Sequence, residues 1–315
     1  MKSVYVINGF LESGKTEFIT YTLAQPYFQI KGKTLLILCE EGEIEYEEEL
    51  LTKSKTVVEL IEEEEEFTAA HLLELEKKHK PDRIIIEYNG MWNFKEMKLP
   101  WHWKIDQQIT TIDGSTFPMY FTNMRSLLAE MVRNSEMIIF NRCDGIEDLS
   151  SYKRNIKAIN PKADIIFEDA NGEITEIMED DLPYDLKQDV IELDDIGYGI
   201  WYMDAMDNPD KYEGKIIKTK AVVYKPKEYS KVNAFIPGRF AMTCCADDIR
   251  YIGIKCFYDD NIAKQLSGYK DRDFINLVAR AKVEFVKEYN DKGVVLYAED
   301  ISSAKKPEDD LVYFN

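Results

Sequence analysis

A glycine-rich segment near the start of the chain has the residue types and spacing of a phosphate-binding loop. Residues 9–16, GFLESGKT, satisfy the pattern G-x-x-x-x-G-K-[ST] between the apolar run SVYVIN and a segment of helical composition. In such a loop backbone N–H groups wrap the phosphates, Lys15 reaches the β- and γ-phosphates, and the Thr16 hydroxyl ligates Mg²⁺. The pattern therefore predicts a Mg²⁺-nucleotide site. Its candidate nucleotide contacts are Gly9, Glu12, Ser13, Gly14, Lys15, Thr16 and Glu17.

A second motif concerns the base of the nucleotide. Asn141-Arg142-Cys143-Asp144 follows the apolar run EMIIF, where an Asn-Lys-x-Asp motif that binds guanine would stand. Asp144 can accept hydrogen bonds from the two N–H donors of guanine, a pattern that adenine lacks, and the stem of Arg142 can cover the base as Lys normally does. An ordinary turn, in which Asn141 caps the strand end and Asp144 is solvated, is the alternative interpretation.

The elements that must position these motifs alternate between strand and helix. Segments of helical composition separate five apolar runs, each of which ends in small or polar residues. Such alternation predicts an α/β fold of the P-loop NTPase type with a mostly parallel sheet, whose ligands lie at the carboxyl ends of the strands. The five runs are SVYVING, KTLLILC, RIIIEYNG, QQITTIDG and SEMIIFNRCD.

The second half of the chain has a different pattern. Residues 170–212 are acidic and rich in turn residues, which places a boundary near residue 185 and predicts a P-loop domain at 1–185 and a β-rich domain at 186–315. Short strand-like runs separated by Pro, Gly, Asp and Asn indicate a small barrel there, with the oligonucleotide/oligosaccharide-binding (OB) topology as one option. The runs are KIIKTKAVVYK, NAFIPGRFAMTCC, YIGIKCFYD, VARAKVEFVKEY and KGVVLYAEDI.

Composition limits the partners and the compartment. The formal net charge of −19 argues against broad contact with nucleic acid or with an anionic membrane, because both select clustered Lys and Arg. No stretch approaches the roughly 18 to 20 apolar residues of a membrane span, which predicts a cytoplasmic protein without direct membrane insertion. With five cysteines and three histidines, reduced thiols are expected at Cys39, Cys143 and Cys256.

With these motifs in place, residues 3–169 resemble the CobW family of metallochaperone-type GTPases, relatives of the nickel-insertion GTPases HypB and UreG. Four further segments carry the resemblance, in the family's order. They are Cys39-Glu-Glu-Gly-Glu-Ile44 for Asn-Glu-Phe-Gly-Glu-Ile, residues 81–90 for a strand ending Glu-Ser/Thr-x-Gly, Ile112-Asp-Gly114 for Val-Asp-Ala, and Asn160-Pro161 after the guanine motif.

The resemblance implies GTP and Mg²⁺ as cofactors and assigns roles to several carboxylates. Glu87 would stand at the Walker B position and hold Mg²⁺ directly or through water, and Glu40, Glu43 or Glu47 would lie in the switch region that senses the γ-phosphate. The catalytic candidates are thus Lys15, Glu40, Glu43 and Glu87. A solvated surface charge is the alternative interpretation of each switch carboxylate.

The chain departs from the family at the expected metal site. The family carries Cys-x-Cys-Cys after a Val-Val-Glu-Leu-like segment, whereas here residues 56–60, TVVEL, are followed by Glu62–Glu66. Thiolates select zinc and similar metals, while carboxylates favour harder ions and bind exposed zinc weakly. The family's thiolate site therefore cannot be carried over to this chain.

A cysteine pair in the second half offers another candidate metal site. Residues 239–248, RFAMTCCADD, resemble the C-terminal module of the YcgQ-type bacterial proteins, which are associated with a predicted permease; this match covers roughly residues 210–302. Cys244 and Cys245 are the candidate ligands for Zn²⁺ or another transition metal. Adjacent cysteines in a strand point to opposite faces, so joint ligation requires a bulge or turn. One buried and one exposed thiol is the alternative.

Three functions are compatible with these observations. The first is Mg²⁺-dependent GTP hydrolysis coupled to metal delivery or to regulation of a partner, either a metal-dependent target protein or a permease-associated partner. The second is a non-catalytic switch or scaffold that senses the nucleotide and acts through the C-terminal module. The third is an ATPase of similar architecture. The sequence leaves oligomer formation open.

Overall fold

The structure, a computed structural model, describes residues 1–40, 42, 44–175, 182–243, 248–287, 290–307 and 310–314. The chain forms two compact units. The first unit comprises Met1–Leu149 and Ile159–Met178, and the second comprises Ser150–Ala158 and Glu179–Asn315. The chain therefore leaves the first unit for residues 150–158 and returns to it before the second unit is completed.

The first unit is built on a sheet with eight strands among its described residues. Their order across the sheet is β3-β2-β4-β1-β5-β6-β7-β8, and every pair is parallel except the terminal β7–β8 pair. This arrangement confirms the predicted mostly parallel α/β fold. The strands are β1 (Lys2–Asn8), β2 (Thr34–Leu38), β3 (Thr56–Leu60), β4 (Arg83–Glu87), β5 (Trp103–Asp113), β6 (Met137–Asn141), β7 (Asp164–Asp169) and β8 (Gly172–Glu173).

Helices connect these strands, and local residues determine where they begin. Gly14, with φ 93°, precedes the first helix, and the Thr68 hydroxyl caps the third by accepting a hydrogen bond from the backbone N–H of His71. The helices are α1 (Lys15–Ala24), α2 (Glu48–Lys53), α3 (Ala69–His79), α4 (Phe117–Asn123) and α5 (Arg125–Val132), followed by α6 (Leu149–Ile159).

Alternate residues of the central strands pack into separate clusters on the two faces of the sheet. Val4 and Val6 belong to one cluster, and Ile7 to another that also contains Ile19 and Leu23 of α1. Burial of both faces accounts for the nearly continuous apolar runs. Because β1, β4, β5 and β6 are parallel, their carboxyl ends meet at one edge of the sheet. The polar residues that follow these strands therefore lie at that edge.

The second unit is rich in strands, as predicted for the C-terminal domain. The predicted run YIGIKCFYD is divided into two strands, β12 and β13. The elements after α6 are β9 (Val190–Leu193), α7 (Asp195–Asp207), β10 (Ile216–Tyr224), β11 (Ala234–Met242), β12 (Ile249–Gly253), β13 (Cys256–Phe257), α8 (Asp260–Leu266), β14 (Phe274–Val286), β15 (Asp291–Ser303) and β16 (Leu311–Val312).

The strand pairings of the second unit form a closed circuit. β10 pairs with β14, β14 with β15, β15 with β13, β13 with β11, and β11 returns to β10. β12 and β16 add to β11, and β9 adds to β10. The circuit encloses apolar residues such as Phe235 and Ile275, whereas the OB type of barrel stays a prediction. In the part of the chain that the structure describes, no helix has the length and apolarity needed to cross a membrane.

Candidate functional site

The glycine-rich loop between β1 and α1 has a shape that requires glycine at positions 9 and 14. A Cβ atom on Gly14 would lie 2.3 Å from Nδ2 of Asn141, and one on Gly9 would lie 2.4 Å from the backbone oxygen of Thr111. Nδ2 of Asn141 donates to the backbone oxygen of Ser13 at 2.7 Å. The loop is thus braced by the end of β6, the strand that carries the second predicted motif.

Lys15 is folded into its own loop. Its Nζ donates to the backbone oxygens of Gly9 and Phe10, both at 2.9 Å, and forms an ion pair with Glu40, which follows β2. The Lys15 side chain is 3% exposed. The structure therefore brings together the loop lysine and Glu40, one of the three predicted switch carboxylates.

Two hydroxyl groups converge on Glu87 at the end of β4. Thr16 Oγ1 donates to Oε1 of Glu87 at 2.7 Å, and the Tyr46 hydroxyl donates to Oε2 at 2.5 Å. Burial raises the pKa of Glu87, while the hydrogen bonds from Tyr46 and Thr16 and the charge of Lys15 act to lower it. A hydroxyl beside a carboxylate is an oxygen donor set that suits Mg²⁺.

Arg142 connects the base motif to the phosphate loop. Its Nη1 donates to the backbone oxygen of Glu12 at 2.6 Å and to Oδ2 of Asp113 at 2.8 Å, and its Nη2 lies 3.2 Å from Oε2 of Glu17. Burial alone would raise the pKa of Asp113, but hydrogen bonds from Ser115 and Arg142 hold that pKa below its usual value. Arg142 therefore joins three acidic residues at the site.

Asp144 and Asn141, at the carboxyl end of β6, have carbonyl or carboxylate oxygens that can accept further hydrogen bonds. Asp144 is exposed, and its Oδ1 accepts from the backbone N–H of Ala170 at 3.1 Å. Oδ1 of Asn141 is buried and has no hydrogen-bond partner within the described chain. A buried amide oxygen without a hydrogen-bond partner destabilises a fold. Such an atom is therefore typical of a site where a ligand supplies the partner.

Most of these residues line one cleft of about 280 Å³ at the carboxyl edge of the sheet, whereas Tyr46, Asn141 and Asp144 are not part of its lining. Its lining includes the loop residues, Glu40, Glu87, Asp113 and Arg142. Phe10 and Tyr120 form an aromatic wall, with stacked rings whose centroids lie 4.1 Å apart. These aromatic residues and Tyr46 were not predicted from the sequence, because Phe10 stands at an unspecified position of the glycine-rich pattern and the two tyrosines belong to no motif.

Several predicted site residues are not brought to this cleft. Glu47 is exposed at the start of α2, and Glu43, Cys244 and Cys245 lie outside the described residues. Within the described ranges, no group of three His, Cys, Asp or Glu side chains is arranged to hold a metal ion.

The three described cysteines are free and buried, as expected for reduced thiols. Burial raises the pKa of Cys143 to about 11 and also raises the pKa values of Cys39 and Cys256. Burial thus disfavours the thiolate form, which is the form of cysteine that binds metals.

Comparison with models of known protein families shows which family the chain belongs to. Residues 3–167 match the model described as the CobW/HypB/UreG nucleotide-binding domain. The chain belongs to the CobW/HypB/UreG family. Residues 170–314 match the DUF1980 C-terminal domain, so a CobW-type first half is followed by a separate module, as predicted. The CobW match includes the glycine-rich loop, Glu87 and the Asn141–Asp144 motif.

Solved structures similar to this CobW-type chain include two HypB proteins and a YjiA GTPase. HypB from Archaeoglobus fulgidus is 22% identical, with 54% of this chain and 82% of that chain covered and a TM-score of 0.39. Zn(II)-bound YjiA GTPase from E. coli is 17% identical, with coverages of 73% and 76% and a TM-score of 0.39. HypB from Helicobacter pylori in complex with nickel is 18% identical, with coverages of 53% and 80% and a TM-score of 0.37. These TM-scores are too low to support any conclusion about the ligands of this chain. No curated protein matches the chain.

Proposed function

We propose that this chain binds GTP with Mg²⁺ in the cleft of the first unit and hydrolyses it. The observation that supports the proposal best is the convergence of Lys15, Thr16 and Glu87 on one cleft beside a glycine-rich loop. P-loop nucleotide hydrolases place a lysine, a hydroxyl group and a carboxylate near the phosphates and the metal, and here Glu87 would supply the carboxylate. Membership of the CobW/HypB/UreG family supports nucleotide binding.

The residues present fit both groups. The Gly9–Gly14 loop and the start of α1 offer backbone N–H donors to phosphate oxygens, and Thr16 with Glu87 offers oxygen ligands for the metal. Mg²⁺, when bound, neutralises charge on the phosphate oxygens. On nucleotide binding Lys15 would exchange its bonds to Glu40 and the loop carbonyls for bonds to phosphate. Glu40 would then be released, which makes it a suitable sensor of an occupied site, with Glu43 as the other catalytic candidate.

The residues at the carboxyl end of β6 support guanine as the base. Asp144 is exposed and able to accept from the guanine N–H groups, and the unpartnered Oδ1 of Asn141 can accept from a further donor. Arg142 is held by Asp113 and Glu17, and its aliphatic stem would cover the base.

The proposed function also includes the domain bounds, the role of the second unit and the cellular compartment. We assign the P-loop domain to residues 1–185 and the β-rich domain to residues 186–315. GTP hydrolysis would be coupled to metal delivery or to regulation of a protein partner in the cytoplasm. Cys244 and Cys245 are the proposed ligands of Zn²⁺ or another transition metal.

Nucleotide turnover by the purified protein tests this function. GTP and ATP are offered in competition, with Mg²⁺, Zn²⁺, Co²⁺, Ni²⁺ and Mn²⁺ tested in turn. We expect turnover of GTP in preference to ATP with Mg²⁺, and its loss in Lys15→Ala. Lys78→Ala is the matched control, because it removes a lysine that is also paired with a glutamate but is exposed and remote from the cleft. Preferential turnover of ATP would contradict the guanine assignment.

A non-catalytic switch is the second candidate, because Lys15 is already held by Glu40 and two carbonyl groups in a closed arrangement. A protein of this kind would bind GTP and change its partner contacts without multiple turnover. Multiple turnover after addition of metal or partner would exclude it.

A further inference from the structure

Tyr46 lies in the acidic segment between β2 and α2. It is half-buried, and its ring packs against the apolar cluster that contains Ile19 of α1 and Leu36 of β2. Its hydroxyl extends from this packed ring to Oε2 of Glu87 at 2.5 Å. A packed ring and a short hydrogen bond together fix the position of the hydroxyl group.

The bond from Tyr46 completes the hydrogen bonding of the Glu87 carboxylate. Oε1 accepts from Thr16 and Oε2 accepts from Tyr46, so each oxygen has its own hydroxyl donor. Glu87 is 4% exposed, so solvent cannot readily replace either donor. Without Tyr46, Oε2 would lose its described partner and the carboxylate could rotate away from Thr16.

We infer that Tyr46 is a positioning residue for the metal site: its hydroxyl orients Glu87 so that Oε1 and Thr16 together face the Mg²⁺ of a bound nucleotide. This inference rests on the proposed function, since it takes Glu87 and Thr16 as the metal-binding pair. Groups that orient metal-binding residues commonly change metal affinity by 10- to 100-fold when removed.

Tyr46→Phe tests the inference, because it removes the hydroxyl and retains the packed ring. The full-length protein is titrated with a fluorescent, non-hydrolysable GTP analogue, first with EDTA and then with increasing Mg²⁺. We expect the affinity for the analogue in EDTA to be unchanged. The Mg²⁺ concentration at which half of the Mg²⁺-dependent change in analogue binding is reached should increase about tenfold. Tyr297→Phe is the matched control, since it removes another tyrosine-to-glutamate hydrogen bond, 2.7 Å long, in the second unit.

The outcomes separate the inference from the proposed function. A wild-type protein that binds no analogue, or binds it without any effect of Mg²⁺, contradicts the proposed function itself. If the wild-type protein responds to Mg²⁺ and Tyr46→Phe needs the same or a lower Mg²⁺ concentration for half of the effect, only the positioning role is overturned. Equal weakening of analogue binding with EDTA and with Mg²⁺ also overturns it, because the hydroxyl would then support the fold rather than the metal site.

Discussion

Glu12 occupies an unusual backbone conformation within the phosphate loop. Its φ of 59° is in the left-handed region, which costs a residue with a side chain about 1–2 kcal/mol relative to the right-handed form. Glu12 is exposed and belongs to the lining of the cleft, so it adds negative charge to the site where phosphates would bind. The charge opposes binding of a polyanion, and the backbone conformation lowers the stability of the fold.

Glu12→Gly is therefore expected to strengthen nucleotide binding several-fold and to raise the free energy of unfolding by up to about 1 kcal/mol. The measurements are analogue affinity and chemical denaturation. Lys55→Gly is the matched control, because Lys55 has a φ of 53° but lies away from the cleft. The control should gain stability without any change in affinity. Wild-type affinity in Glu12→Gly would show that its charge does not act on the phosphates.

Asp144→Asn addresses base recognition. We expect weaker binding of GTP and retained or improved binding of xanthosine triphosphate, because an amide donates to the xanthine carbonyl that a carboxylate repels. Competition against a labelled nucleotide gives both affinities. Asp164→Asn, at the exposed start of β7, should change neither. If the two affinities move together in Asp144→Asn, Asp144 does not contact the base.

At the residue scale, sequence could predict the groups that a motif fixes and little else. The glycine-rich pattern requires Lys15 and Thr16 to meet the same ligand, and the structure places both at the cleft. Tyr46 belongs to no such pattern. It contacts Glu87 from 41 positions away in the sequence, and only tertiary structure brings such distant residues together.

At the scale of elements, the loop depends on close approach by its neighbours. Gly90, three residues beyond β4, packs directly on the backbone of Gly9: a Cβ atom there would lie 2.2 Å from the Gly9 carbonyl oxygen. The end of one strand thus supports the loop that follows another. This contact explains the requirement for glycine at position 90.

Gly90→Ala is expected to lower the free energy of unfolding by about 1–3 kcal/mol and to weaken nucleotide binding, because the added methyl group must displace the loop backbone. Thermal unfolding and analogue titration measure the two effects. Gly268→Ala provides the control, since its nearest contact would be at 3.5 Å. A Gly90→Ala protein with unchanged affinity would show that the loop tolerates the displacement.

The central strands were predictable because they are apolar on both faces, a pattern that few other elements share. Strand β3 was harder to predict from the sequence, because it lies at the edge of the sheet and leaves Leu60 37% exposed. The division of the predicted YIGIKCFYD strand into β12 and β13 was not visible either. Both strands pair with β11, and no sequence period marks the point where the chain bends.

At the scale of the whole molecule, the metal chemistry is expected in the second unit. Strand β11 ends at Met242 and β12 begins at Ile249, and the sequence between them contains the cysteine pair. Asp248 accepts from Thr243 and lies 2.9 Å from Nε of Arg250. By contrast, Glu64–Glu66 form a turn whose residues are exposed or half-buried, as expected for solvated charges.

We predict that zinc affinity of the full-length protein, measured by competition with a chelator, falls at least tenfold in the Cys244→Ser, Cys245→Ser double mutant. Replacement of Glu62–Glu66 by Gln should leave zinc affinity within twofold of the wild-type value. Tight binding that persists in the double mutant and vanishes in the Gln variant would place the metal beside the nucleotide cleft.

The division of the chain between the two units also has a consequence for synthesis on the ribosome. Residues 150–158 emerge before β7 but belong to the unit whose strands begin only at Val190. Domains of a nascent chain usually fold one after the other as they emerge. Here the first unit can complete its sheet while it carries a segment that still awaits the second. The second unit can therefore finish folding only after its strands have emerged, and a nascent chain that stalls before Val190 would leave residues 150–158 without their unit.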